Sequence, residues 1–311
     1  MAEMAEGAIE TVVVPLDGSD LAEAALPVGR AIAARAGAAL RLVRVLDLGR
    51  TAEAQRQAEQ ALWESARRAD VEARLKVRVG DAAEEILREA AALPAPLVVM
   101  TTHGRSGLGR WLIGSVADRV VRGGTAPVLL LRSGVSLDGE TGTRRLLVPL
   151  DGSALAEDAL PIAQALARAF GAELHLARVA ETTRLFMLTG TTDAPVPDNV
   201  MEELVAGLED DASAYLAGVI ERLASAGVAV RAAVLSGVPV DALLTYVDRH
   251  AIELVVLATH GRGGFNRLVL GSVAERVLLQ GHTPILVVPP VRSGEVGTPT
   301  DGVEAAGRTV S

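Results

Sequence analysis

The chain of 311 residues has no cysteine, which rules out disulfides, zinc–thiolate centres and thiol catalysis and is compatible with a reducing compartment. It has no basic excess either. Thirty Lys and Arg face 39 Asp and Glu, for a net charge of −9 and a pI near 5.2, so no nucleic-acid partner is expected. No apolar run reaches the roughly 18 residues of a membrane span. The opening stretch, Met1 to Glu10, is acidic rather than basic and apolar, so the expectation is no membrane association and a cytoplasmic location. There is no Walker A loop and no Gly-x-Gly-x-x-Gly after a first strand, which argues against a P-loop or dinucleotide enzyme. His175, His250 and His282 lack partners at i+4 and carboxylate clusters, so no metal site is expected.

The sequence does contain a repeat. Val13-Val14-Pro15-Leu16-Asp17-Gly18-Ser19 matches Leu147-Val148-Pro149-Leu150-Asp151-Gly152-Ser153, an offset of 134 from Asp17 to Asp151. Thr102-His103-Gly104-Arg105, in which Gly104 is followed after nine residues by Gly114-Ser115-Val116-Ala117, matches Thr259-His260-Gly261-Arg262 and Gly271-Ser272-Val273-Ala274. There the offset is 157 (103 to 260), so the second copy carries 157 − 134 = 23 additional residues. They are expected as a long loop from about Glu181 to Gly207. So long a period means two whole domains rather than a solenoid.

Within each copy short apolar runs alternate with Ala-rich helical patterns, which predicts a doubly wound parallel sheet of five strands in each α/β domain. Pro27 and Pro161 fall inside helical patterns and predict a bend or a late helix start. The expected domains are 9–132 and 143–290. An N-terminal tail, 1–8, a Gly- and Ser-rich linker, 133–142, and a disordered tail, 291–311, complete the chain.

Each glycine-bearing loop follows an apolar strand and leads into a helix, and ligands of such sheets sit beyond the strands' carboxyl ends. A helix's first turn has N–H groups without intrahelical partners and the positive end of the dipole, so backbone alone can hold a phosphate. Two bland readings stand beside this one. Ser115 with Asp118, and Ser272 with Glu275, are capping boxes that would occupy the same amides. Asp17 and Asp151 are also ordinary turn formers. His103 and His260 have no nucleophile or carboxylate at a recognisable spacing, so no catalytic residue is expected.

Taken in order and twice over, these motifs, with the closing Thr-Ala-Pro-Val-Leu and Thr-Pro-Ile-Leu strands, resemble the universal stress protein family in a tandem, two-domain form. The resemblance implies a Rossmann-like fold related to the adenine nucleotide α-hydrolases, and, in one subclass, ATP bound through Gly-x-x-Gly, nine residues, Gly-Ser/Thr. The implied contacts in the first copy are Pro15, Asp17, Val45, Met100, Thr101, His103, Gly104, Arg105, Gly114, Ser115 and Val116. In the second they are Pro149, Asp151, Val179, Ala258, His260, Gly261, Arg262, Gly271, Ser272 and Val273. The first glycine of the motif is Thr101 in one copy and Ala258 in the other, and the β-branched Thr101 is the more obstructive.

The implied function is regulatory: a stress-response protein that holds ATP without rapid turnover, with Mg²⁺ as an accompanying ion beside Asp17 or Asp151 and slow hydrolysis left open. Two alternatives are a non-nucleotide interaction module of the same fold and an adenylating enzyme. The implied assembly pairs the fifth strands, Val128 to Arg132 and Ile285 to Pro289, within the chain as an internal pseudo-dimer, with a homodimer of whole chains also open.

Overall fold

Val12, Val13 and Val14 are all fully buried, as a strand covered on both faces must be, which is why the runs are continuously apolar rather than alternating. The computed structural model describes residues 7–102, 113–132, 144–182, 197–224, 227–259 and 271–290. The first half contains β1 (Thr11–Pro15), α1 (Asp20–Glu23), α2 (Ala25–Ala36), β2 (Ala39–Leu46), α3 (Ala52–Arg68), β3 (Arg74–Val79), α4 (Ala82–Ala91), β4 (Pro96–Thr101), α5 (Ser115–Gly123) and β5 (Val128–Leu131). The second repeats it with β6 (Arg145–Pro149), α6 (Ala154–Glu157), α7 (Leu160–Phe170), β7 (Glu173–Ala180), α8 (Asp198–Leu223), β8 (Val230–Ser236), α9 (Pro239–Arg249), β9 (Leu254–Ala258), α10 (Ser272–Gln280) and β10 (Ile285–Val288).

Both halves are α/β units built on parallel strands, ordered β3-β2-β1-β4-β5 and β8-β7-β6-β9-β10. β5 and β10 are antiparallel neighbours, with Leu129 opposite Leu286, and ten strands form one sheet. One face carries α2, α3, α7 and α8 over Val14, Leu42, Val148 and Leu176. The other carries α4, α5, α9 and α10 over Val13, Val43, Leu147 and Ala177.

The prolines act as late starts. A break at Ala24 separates α1 from α2, whose third residue is Pro27, and Pro161 is the second residue of α7, where a missing N–H costs nothing. The segment expected as a loop from Glu181 to Gly207 is instead helical from Asp198 onward. α8 has 26 residues against 17 in α3. The Thr and Pro residues that suggested a loop lie ahead of the helix, Pro197 is its N-cap, and Met201-Glu202-Glu203-Leu204 after it are good helix formers. The rest of that segment, residues 183–196, lies outside the described residues, as do the linker and the tail from residue 291.

Candidate functional site

β1 ends at Pro15, and the chain turns at Asp17-Gly18-Ser19. Asp17 Oδ1 accepts from the Ser19 amide at 2.9 Å and its hydroxyl at 2.6 Å, and Ser19 Oγ then caps α1 by accepting from the Ala22 amide at 3.2 Å. The second copy repeats this at Asp151 and Ser153 with 2.9, 2.6 and 3.1 Å. The turn-forming role of both aspartates is therefore present, whatever else they do. Gly18 and Gly152 have φ of +82° and +88°, a region that disfavours side chains. They also lie against arginines. A Cβ on Gly18 would stand 2.6 Å from Arg44 Nη1, and one on Gly152 would stand 3.2 Å from Arg178 Nη2. Arg44 and Arg178 brace the two turns, and sequence reasoning passed over them although they repeat at the offset of the turns themselves (178 − 44 = 134).

At the other side of the crevice α5 begins. The capping-box reading fails in both copies: the N-caps are Gly114 and Gly271, with no side-chain cap hydrogen bond, and Ser115 and Ser272 are first helical residues. Each serine sits one position too late for its hydroxyl to reach back over the first-turn amides. Asp118, the supposed partner, instead accepts from Arg122 Nε at 2.7 Å. Those amides thus have no side-chain acceptor among the described residues.

A cavity of about 570 Å³ lies between these elements in the first half. Pro15, Asp17, Val45, Met100, Thr101, Gly114, Ser115 and Val116 line it, joined by Leu16, Ala22, Val43, Ala82, Ile86 and Ile113. The structure thereby gathers eight of the expected residues around one space of ligand size. Thr101 stands in the wall. The six additional residues, from the end of β1, α1, β2, α4 and the α5 approach, are all apolar, and Asp17 is the one carboxylate among the described lining residues. Next to the cavity, Asp81 caps α4 by accepting from the Glu84 amide at 3.1 Å and pairs with Arg119 of α5 at 2.7 Å. That guanidinium holds the Asp81 carboxyl below its ordinary range.

In the second half Pro149, Ala258 and Gly271 end β6, β9 and the approach to α10, Val179 lies in β7, and Ser272 and Val273 open α10. These places correspond to those of the first copy. His103, Gly104, Arg105, His260, Gly261 and Arg262 lie outside the described residues.

The copies differ beside the cavity. Val45 is in register with Arg78 of β3, which meets Glu89 (Nε to Oε2, 2.6 Å) and Glu85 (3.3 Å), while Arg41 meets Glu89 at 3.3 Å and Arg88 joins Glu85. Glu85 and Glu89 are buried. At the places of Arg41, Arg78, Glu85 and Glu89 the second copy has His175, Leu235, Ala242 and Tyr246. His175 is fully buried, its Nδ1 2.8 Å from the Tyr246 hydroxyl and its Nε2 3.1 Å from Glu173. Burial lowers the His175 pKa and raises that of Tyr246. Beside that pair opens a second cavity of about 570 Å³, between β8 and α9.

The model of the universal stress protein family matches residues 8–132 and 142–289. A universal stress protein of Methanocaldococcus jannaschii is 29% identical over 152 residues, 49% of this chain and 85% of that protein. One of Mycobacterium tuberculosis is 31% identical over 193 residues, 62% of this chain and 61% of that protein. The crystal structure of a universal stress protein from Archaeoglobus fulgidus superposes with a TM-score of 0.68 at 21% identity, over 90% of this chain and 98% of that one, a likeness of fold. With two matches that together span most of its length, each on one α/β half of the sheet, the chain belongs to the universal stress protein family.

Proposed function

We propose that the chain is a regulatory stress-response protein that binds ATP in the first-copy crevice, and at the corresponding place in the second, with little or slow hydrolysis. The observation that carries this reading is the 570 Å³ cavity bounded on one side by the uncapped first turn of α5 and on another by Asp17. The α5 amides supply donors for phosphate. Val43, Val45 and Ile86 supply an apolar slot for a base. Asp17 fits Mg²⁺ in the usual mode, one carboxylate with the remaining ligands from phosphates and water. The one carboxylate among the described lining residues, already engaged through Oδ1 by Ser19, makes a poor general base, which supports slow turnover.

On this reading the units are residues 9–132 and 143–290, and they act as an internal pseudo-dimer through β5 and β10. The antiparallel register of those strands supports that pairing, as do Arg122 of α5 lying 3.5 Å from Glu275 of α10 and Arg35 stacking on Phe170 at 5.1 Å. Small-angle scattering that resolved two separated bodies would contradict it.

The test of binding is mass spectrometry of small molecules released from protein purified without added nucleotide, together with thermal shift. ATP at about a hundred times its Kd raises stability by about 2.7 kcal/mol. No released nucleotide and no shift at millimolar ATP would end the reading. The second reading, an interaction module without nucleotide, draws on Thr101 in the cavity wall. Thr101→Gly and Ala258→Gly separate the two, since a gain in ATP affinity from the first alone means the threonine obstructs the pocket.

A further inference from the structure

The ten-stranded sheet has two margins, β3 and β8, and they are not alike. β3 is guarded in the usual manner of edge strands, by cations: Arg74, Lys76 and Arg78, the last held by Glu85 and Glu89. The same positions of β8 are Arg231, Ala233 and Leu235, and no charge occurs from Ala232 to Ser236. Among the described residues β8 pairs only with β7. The Leu174 amide donates to Ala229 and the Gly237 amide to Ala180, so odd-numbered positions face β7, and Ala232 and Val234 turn their N–H and C=O outward.

The cavity beside β8 runs along one line of α9, the exposed residues Asp241, Thr245 and Arg249. The acid is in the first turn of the helix and the base in the last, with Thr245 midway. Neither Asp241 nor Arg249 has an ion-pair partner among the described residues. A line with opposite charges at equal distances from its centre is complementary to itself when reversed. The chain already uses this device once: where β5 meets β10 antiparallel, Arg122 in the last turn of α5 pairs with Glu275 in the first turn of α10.

We infer that two copies of this chain associate through their β8 edges, antiparallel about a twofold axis near Thr245, with Asp241 of each copy paired to Arg249 of the other. The contact is isologous and closes on itself. Because the β3 margin is guarded, association stops at two. The inference is independent of the nucleotide reading.

Sedimentation equilibrium of the full chain tests it. The expected species has twice the chain mass of 32.2 kDa. Ala232→Pro removes an outward amide and leaves the β7 ladder intact, so the dimer should be lost while the circular dichroism spectrum is kept. Asp241→Arg and Arg249→Asp should each weaken dimerisation roughly tenfold or more, and the double reversal should recover most of the loss. These two are surface changes that do not depend on the folding of a proline variant. A monomer at every concentration overturns the inference, and so does a dimer indifferent to Ala232→Pro and showing no recovery in the double reversal.

Discussion

Glu89→Ala is the most demanding test of the packing beside the candidate crevice. The Glu89 side chain is 4% exposed and serves both Arg41 and Arg78, whose side chains are 17% and 21% exposed. Among the described residues its removal leaves Arg41 with no carboxylate within reach, on a side chain whose Nε is already buried without a partner, and leaves Arg78 only Glu85 at 3.3 Å. Breaking such a pair costs about 3–5 kcal/mol, and because water still touches both guanidiniums the lower end, about 3 kcal/mol, is expected. At an m-value of about 1–3 kcal/mol/M the urea midpoint falls by about 1 M or more. The second copy supplies the control, since it holds the same place with His175, Leu235, Ala242 and Tyr246. Arg41→His, Arg78→Leu, Glu85→Ala and Glu89→Tyr together replace the whole network and should cost less than Glu89→Ala alone, as complete replacement of buried ion pairs by packed residues is often neutral or better. A single variant that loses under about 1 kcal/mol, or a quadruple variant that loses more than the single, would refute the reasoning.

Three further outcomes are expected. Burial lowers the His175 pKa below its unfolded value, so the unfolded state takes up the proton first, and stability should fall as pH drops below the ordinary histidine range, toward the lowered folded pKa. Thermal melts across pH 7 to 5 should show this fall, and His175→Gln should abolish it; an identical profile in the variant would count against it. Gly29 lies in α2 where a Cβ would stand 2.5 Å from Val14 Cγ2, so Gly29→Ala should lose up to about 2 kcal/mol, an overpacking cost of about 1–3 less a helix gain of about 1. In a Val14→Ala background the same change should stabilise, and denaturation curves of the four proteins decide it. Arg122→Ala should cost no more than about 1 kcal/mol, since the Arg122–Glu275 pair is 35% and 46% exposed, and the small loss should shrink further in high salt.

Much of the architecture was legible because it rests on local signals repeated twice. Valine-rich runs between Ala-rich helices announce parallel strands, and the Asp-Gly-Ser and Gly-Ser turns mark where strands give way to helices. What escaped depends on contacts between distant residues or on a shift of one position. The serines at 115 and 272 follow the cap instead of forming it, a difference of one residue that the pattern Ser-x-x-Asp cannot register. Arg44 and Arg178 read as strand arginines until Gly18 and Gly152 are brought against them. Glu85 and Glu89 sit on an amphipathic helix and look like a solvated face, because their partners lie on β2 and β3. The helical start of α8 was hidden by the Thr and Pro residues just ahead of it.

The antiparallel meeting of β5 and β10 reverses the direction of every strand in the second half relative to the first. The carboxyl ends of β1 and β6 therefore point opposite ways, so the first-half cavity and the corresponding place in the second half lie at opposite ends of the strands. No single small ligand can bridge the two places. Any message between them has to cross the seam, where Arg132, at the exit of β5, donates to the Leu278 carbonyl in α10, the helix that begins at Ser272.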